Sequence, residues 1–164
     1  MEGEKPTTVM CTVIAMDHSN LFYRVCSICE RTLPPDTNTT TPAAASLICR
    51  FCNNNPITKR LFRLLVSIAT DAQVINVICF DRAAKVLFGC SADDFFHFAK
   101  LHPFAAANAA KILEGEMFMM TLSKPKNGNA QHLRAVSIVP LKAGFRPAIE
   151  SLKLLYGIKV KQSS

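Results

Sequence analysis

Two pairs of cysteines in this sequence have the spacing of a metal site. Cys26 and Cys29 form one C-x₂-C pair, Cys49 and Cys52 form a second, and 19 residues separate the two pairs. Each C-x₂-C turn directs two thiolates towards one point, and two such turns complete a tetrahedral S₄ shell for Zn²⁺. Four thiolates leave no open coordination position. The spacing therefore predicts a structural zinc ribbon and not a catalytic metal.

A redox pair and ordinary burial remain as alternative roles for these cysteines. Redox chemistry needs only one C-x₂-C, ideally at a helix N-terminus, and neither pair has that context. We expect the remaining cysteines to be buried in the core; they are Cys11, Cys79 and Cys90. The first residues of the sequence do not resemble a secretory signal, so we expect a reducing compartment, where paired cysteines bind metal more often than they form disulfides.

The sequence contains no recognisable set of catalytic residues. Its four histidines are scattered, and it has neither a Walker loop nor a G-x-G-x-x-G motif. Asp93 and Asp94 are adjacent at the start of a predicted helix, where the helix dipole explains them. A zinc deaminase would need an H-x-E motif near P-C-x-x-C, and neither is found. We therefore expect a protein that is not an enzyme.

The positive charge of the chain is concentrated in two blocks. The net charge of +7 divides into −2 for residues 1–17, +4 for 18–63, −2 for 64–116 and +7 for 117–164. A chain with hydrophobic residues at 49% is expected to fold, and no apolar run approaches the length of a membrane span. Two basic blocks around an acidic middle indicate a polyanionic partner, although charge runs of this kind are often only solvated surface.

Five segments have the β-branched or alternating apolar pattern of strands. They are Thr8 to Met16, Leu61 to Ala69, Val74 to Phe80, Met117 to Ser123 and His132 to Val139. In the second segment, alternation places Arg63 on the face opposite Phe62 and Leu64. We expect the few aromatic residues of the strands, Phe62, Phe80 and Phe118, to be buried.

Helices are predicted between the third and fourth strands and at the end of the chain. Ser91 is a good N-cap for a helix over 93–101, and Pro103 precedes an alanine-rich helix that stops near Gly115. In the final helix, 145–156, one stripe falls at helical spacing. We expect this stripe to be partly exposed, the alternative being that it packs on its own domain. Its members are Phe145, Ile149, Leu152 and Tyr156.

The order of these elements predicts a fold that is all-β with helices. Five strands, with helices between the third and fourth, follow the order of a five-stranded OB-fold barrel. The cysteine motif then forms a four-cysteine zinc ribbon at about 22–56, inserted between strands 1 and 2, and a C-terminal helix follows the barrel. We expect residues 1–164 to form this single domain. An OB fold binds ligands across its second and third strands, between two flanking loops, and here those loops fall in the basic blocks.

Several stretches of the sequence resemble the C-terminal domain of the replication protein A large subunit. They are Leu-Phe-Tyr-Arg-Val-Cys at 21–26, Leu-Leu-Val-Ser-Ile-Ala-Thr-Asp at 64–71 and Cys-Phe-Asp-Arg-Ala-Ala-Lys-Val-Leu-Phe-Gly at 79–89. Within that group, residues 13–23 and 139–145 are most similar to the N-terminal domains of DNA damage-induced apoptosis suppressor proteins. The resemblance covers about 8–156. It implies single-stranded DNA binding, a structural zinc, and a nuclear role in replication, repair or recombination. It also implies assembly with other OB-fold subunits through the final helix, 145–156.

The prediction that follows is a domain that binds single-stranded DNA, with RNA left open. Tyr23 and Phe51 are the candidate stacking residues near the ribbon. The alternative is an assembly module without nucleic-acid affinity, because the chain has no Trp and two Tyr. We predict no membrane partner. The candidate phosphate contacts are Lys59, Arg60, Arg63, Lys124, Lys126 and Arg134.

Overall fold

Alternating buried and exposed residues build six strands of one sheet, as seen in a computed structural model that describes residues 5–33, 58–125 and 132–158. The strands are β1 (Thr7–Met16), β2 (Phe22–Cys26), β3 (Thr58–Ala69), β4 (Val74–Phe80), β5 (Met117–Ser123) and β6 (Leu133–Pro140). Five of them were predicted within a few residues. Only β2, which begins the inserted segment, was not predicted as a strand.

The sheet closes into a barrel because β1 pairs with two partners. Its first half, from Thr7 to Thr12, pairs antiparallel with β5, and its second half, from Thr12 to Met16, pairs antiparallel with β3. The remaining pairs are β3–β4, β5–β6 and a parallel pair of β4 with β6, while β2 lies outside the barrel on β3. The order β1–β3–β4–β6–β5 is the five-stranded arrangement typical of an OB fold.

Within the described part of the chain, four helices accompany the barrel: α1 (Asp81–Phe88), α2 (Ala92–Leu101), α3 (Ala105–Leu113) and α4 (Ala148–Leu155). The Ser91 hydroxyl caps α2 as predicted, accepting a hydrogen bond from the Asp94 N–H at 3.1 Å. Helix α1 was not predicted. Its preceding residue, Phe80, makes no side-chain cap hydrogen bond, so the sequence carries no start signal there. No helix within the described residues is long and apolar enough to cross a membrane.

The core fills the barrel and continues under the helices. Phe62 and Phe118 are fully buried, as predicted, and Phe62 packs against Phe88 of α1 with ring centroids 4.7 Å apart. Phe88 in turn meets Phe95 of α2 edge to face at 4.8 Å. Cys79 is also fully buried, and burial raises the pKa of its thiol to about 12. These contacts make α1 and α2 a lid over the Phe62 end of the barrel.

The stripe of the last helix is buried against its own domain, contrary to the exposure expected from the sequence. Ile149 is 7% exposed and Leu152 is fully buried. Phe145 packs edge-on against Phe118 at 5.2 Å, and Tyr156 stacks on His102 at 4.5 Å. Of the four predicted members, α4 contains only Ile149 and Leu152, while Phe145 precedes the helix and Tyr156 is its C-cap. Spacing also cannot distinguish a partner's core from the domain's own.

Gly89, at the end of α1, packs closely against Pro147, which precedes α4. It ends α1 with a left-handed φ of 76°, and a Cβ placed on it would lie 2.3 Å from the Cβ of Pro147. Gly115 also has a positive φ, 86°, but its Cβ would meet nothing within 4 Å. The conformation therefore favours glycine at both positions, whereas the close approach demands it only at Gly89.

Replacing Gly89 by alanine should therefore cost more stability than replacing Gly115. We expect Gly89→Ala to lower the free energy of unfolding by about 2 kcal/mol or more, because left-handed strain adds to the displacement of Pro147. The matched variant Gly115→Ala should lose only the strain, about 1 kcal/mol. Urea unfolding of both variants measures the difference, and equal losses would show that the close approach has no energetic weight.

Candidate nucleic-acid interface

The two faces of β3 separate its basic residues. Phe62 and Leu64 point into the barrel and are fully buried, whereas Arg63 between them is exposed on the outer face, as alternation predicted. Arg63 lies opposite Phe80 in the β3–β4 register. The outer face of β3 and β4 therefore begins with a cation beside an aromatic ring.

Phe80 is the centre of a cluster of aromatic and basic side chains on this face. The Tyr23 ring, on β2, meets it edge-on at 6.4 Å, and the Arg134 guanidinium carbon, on β6, lies 4.9 Å from its centroid. We call these three residues and Arg63 the Phe80 surface. The structure thus brings together three of the predicted contact residues, from three different strands.

The position of Phe80 corrects the expectation that its ring is buried. Val77 and Cys79 fill the inward positions of β4, so Ile78 and Phe80 are directed outward and are only partly buried. The sequence does contain this signal, since Cys79 and Phe80 must occupy opposite faces of one strand. The Asp81 carboxylate fixes the end of β4 by accepting the backbone N–H of Phe62 at 3.1 Å.

The outer face continues away from the Phe80 surface along both strands. Leu65 lies opposite Ile78, and both are half-buried. Beyond them the Ser67 hydroxyl donates to the Asn76 side-chain oxygen at 2.6 Å. The face therefore offers an apolar floor that ends in polar side chains, a suitable support for flat bases on a charged backbone.

The Phe80 surface combines an uncharged tyrosine with a guanidinium packed on an aromatic ring. Burial, followed by the negative charges of Asp81 and Glu30, raises the pKa of Tyr23 above an ordinary value that already keeps the hydroxyl protonated at neutral pH. The Arg134 Nε is buried and has no hydrogen-bond partner among the described residues.

Arg60 is directed to the opposite face and makes contacts within the domain. Its guanidinium carbon lies 3.5 Å from the centroid of Phe96, and its Nη1 pairs with the Asp93 carboxylate at 3.2 Å. Lys59 pairs with Glu30 at 2.6 Å. The structure therefore separates Arg60 from the Phe80 surface, whereas Lys59 lies on the same face of β3 as Arg63 and is ion-paired there.

Lys124 lies just past the end of β5 and is exposed. The residue before it, Ser123, is opposite Arg134 in the β5–β6 register, so the lysine follows directly from the Phe80 surface. Two further predicted contacts, Phe51 and Lys126, lie outside the described residues.

The turn after β2 places a backbone amide at the sulfur of Cys26. Cys26 ends β2, and its Sγ accepts the backbone N–H of Ile28 at 3.4 Å. The backbone N–H of Glu30 then bonds to the Cys26 carbonyl at 2.8 Å, and Glu30 has a positive φ of 60°. An amide donating to the sulfur stabilises a thiolate, so this turn fits a zinc ligand pair. Cys49 and Cys52 lie outside the described residues, and the described residues alone contain no group of three metal-ligand side chains.

The contacts of Arg60 predict a role in stability. Arg60→Ala should lower the free energy of unfolding by about 1 kcal/mol, because it removes a cation–π contact and a partly buried ion pair. Arg63→Ala, three residues along the same strand, should change it by less than about 0.5 kcal/mol, as expected for an exposed side chain. Thermal unfolding checks both. Similar losses for the two variants would mean that the Arg60 contacts do not stabilise the domain.

Two solved structures share this fold at low sequence identity. A replication protein A heterotrimer bound to ssDNA has a TM-score of 0.68 and 18% identity over 94% of this chain, which spans 35% of the length of that chain. Yeast RPA bound to ssDNA has a TM-score of 0.67 and 15% identity over 95% of this chain and 87% of that one. No protein-family profile and no curated protein sequence matches.

Proposed function

We propose that this domain binds single-stranded DNA across the outer face of β3, β4 and β6 without catalysing a reaction on it. The observation that carries the proposal is the Phe80 ring, held between Tyr23 and Arg134 on a sheet face that also exposes Arg63. Bases stack on aromatic rings whatever their sequence, and arginines beside the rings neutralise phosphates. The expected selectivity is therefore for single strands over duplex, because a paired base cannot reach the ring.

The fold supports the same face. OB folds bind oligonucleotides across the strands that correspond to β3 and β4, and the two similar structures are described as replication protein A bound to ssDNA. Identities of 18% and 15% indicate only that the fold is shared, so the proposal that this chain binds DNA depends on its own side chains. A role in replication, repair or recombination in the nucleus belongs to the same proposal.

Phosphate contacts are assigned to the cations that border this face. Arg63 and Lys124 are exposed beside it, and the Arg134 guanidinium lies against the Phe80 ring at the same face. Lys126, which lies between β5 and β6 in the sequence, is a further candidate for a phosphate contact. Each neutralised phosphate should contribute about 0.7 to the dependence of log affinity on log salt for a single strand.

Removing the Phe80 ring should weaken binding to every sequence. We expect Phe80→Ala to reduce the affinity for oligo-dT by about fivefold to a hundredfold, the range that corresponds to one lost base stack. Fluorescence anisotropy with labelled oligo-dT at two salt concentrations measures it. The slope against salt should stay unchanged, because no cation is lost.

Two control variants make this test specific. Phe80→Leu keeps an apolar side chain but removes the aromatic face, so it should lose most of the same affinity. Phe104→Ala removes a phenylalanine that is 74% exposed beside α3 and should bind like the wild type. If Phe80→Leu binds normally, or if Phe104→Ala is equally impaired, stacking on Phe80 is not the basis of binding.

We further propose that all four cysteines of the two C-x₂-C pairs hold one structural Zn²⁺. The support is their spacing and the amide that donates to the Cys26 sulfur. When bound, the metal would cross-link the turn after β2 to the segment that leads into β3. It would then hold Tyr23, three residues before Cys26, against the Phe80 ring.

Elemental analysis of the purified domain should find one zinc per chain. Cys26→Ala and Cys49→Ala should each lose it, whereas Cys90→Ala, a half-buried cysteine outside the pairs, should retain it. Structural zinc contributes on the order of 10 kcal/mol to the folding of small modules, but this barrel has its own core, so local unfolding is expected. Metal-free wild-type protein would contradict the site.

Assembly with other OB-fold subunits is the second candidate function. Leu154 and Leu155 on α4 are 52% and 63% exposed, although the stripe on the other side of the helix is buried. One of the similar structures is described as a heterotrimer, so partners of this kind are known for the fold. The exposed leucines, and not the stripe expected from the sequence, are the observation that favours assembly.

Charge on the exposed side of α4 should prevent such assembly. Leu155→Glu should abolish co-sedimentation with replication protein A subunits and leave the unfolding midpoint of the isolated domain unchanged, since Leu155 is outside the core. If wild-type protein binds no oligo-dT even at low salt but does co-sediment, assembly is the function. If it binds oligo-dT and no subunit, the second candidate is excluded.

A further inference from the structure

The two ends of the barrel differ in structure. Helices α1 and α2 cover the Phe62 end. At the opposite end, a cavity of about 340 Å³ lies between the start of β1, the β3–β4 turn, the end of β5 and the start of β6. We call this cavity the barrel mouth. Mouths of β-barrels are recurrent ligand sites, and a volume near the low end of the usual range of about 300–1,000 Å³ suits one small flat group.

The floor of the barrel mouth is apolar. Val9, Ile75, Leu122 and Leu133 line it and continue the inward-facing rows of their strands. Three of them are only partly buried although they pack against the core. They form the last apolar layer before the cavity, and a flat aromatic group resting there would complete their burial.

The rim of the barrel mouth is polar and carries two lysines. Lys5 and Lys124 lie at the edge together with Asp71 and Gln73 of the β3–β4 turn. Two ammonium groups attract a phosphate, while the amide and the carboxylate provide hydrogen-bond partners for the edge of a base. An apolar floor with such a rim matches the chemistry of a nucleotide.

The barrel mouth is continuous with the Phe80 surface. Leu133 of the floor precedes Arg134, and Lys124 of the rim follows Ser123, the register partner of Arg134. A strand that leaves the Phe80 surface past Arg134 therefore reaches the rim within a residue or two of either β5 or β6. A strand that continued beyond would have to enter and leave by the same opening, so the cavity favours a chain end.

We propose that the barrel mouth receives the terminal nucleotide of a bound single strand. The base rests on the apolar floor, its edge faces Asp71 and Gln73, and Lys5 and Lys124 hold the last phosphate. This inference rests on the proposed function and adds a preference for strand ends to it. The domain should accordingly bind a linear oligonucleotide more tightly than a closed circle of the same sequence and length.

The test compares linear oligo-dT with a covalently closed oligo-dT circle of equal length, by competition against a labelled linear probe. Wild-type protein should prefer the linear form by about fivefold or more, the low end of the contribution of one base. Thr7→Phe fills the mouth from an exposed position, and Lys5→Glu reverses the rim charge. Both variants should lose the preference for the linear form and retain wild-type affinity for the circle. Linear oligonucleotides with a 5′- or a 3′-phosphate then identify which end enters.

The outcomes separate this inference from the proposed function. Lys142→Glu, an exposed charge reversal after β6 at the helix-covered end, should keep the linear preference. Equal wild-type affinity for circle and linear form overturns the inference and leaves binding at the Phe80 surface intact. The inference is also overturned if Lys5→Glu weakens both forms equally, because the attraction is then diffuse. Absence of binding to both forms overturns the proposed function, and the inference with it.

Discussion

The division of β1 between two partner strands is the constraint on which the rest of the structure depends. A break in register between Val13 and Ala15 accompanies the pairing of its second half with β3, while the first half stays paired with β5. Such irregularities bend a strand and increase its twist, which allows the sheet to close. Closure gives each of the five barrel strands one face towards the core and one towards the outside. The buried row of β3 and the exposed Arg63 are consequences of that closure, and so is the outward Phe80.

Much of the fold was predictable because apolar and polar residues alternate along strands that have one buried face. β4 and β5 were predicted at their observed bounds, and β3 was extended only at its start. The two missed elements lack such signals. β2 has five residues and gains its order from pairing with β3, and α1 follows β4 without a turn or a capping side chain. Pairing with β3 defines β2, whereas α1 has local signals of a helix in the i,i+4 pair of Asp81 with Lys85 and in Gly89 at its C-terminus.

The candidate site was predictable in composition but only partly in geometry. Arg60 and Arg63 are the same residue type in one strand, yet one packs on Phe96 and the other is exposed on the outer face. Because side chains alternate between the two faces of a strand, the odd spacing of these two arginines gives one a structural role and the other a binding role. Phe80 was expected to be buried because aromatic residues in short strands are usually core. Its neighbour Cys79 was expected to be buried too, and alternation along one strand allows only one of the two to face inward. The last helix shows the same limit, since spacing found its apolar stripe but not the core that receives it.

The pairing of β1 with β5 also determines the order in which the domain can be completed. Thr8 and Thr121 share a hydrogen bond across 113 positions of sequence, so the first half of β1 has no β5 partner until β5 has been synthesised. Contacts this distant in sequence slow folding. During that interval the first half of β1 presents an unpaired edge carrying Val9 and Met10, a template for intermolecular pairing. Protection of this edge by chaperones should therefore improve the yield of soluble protein.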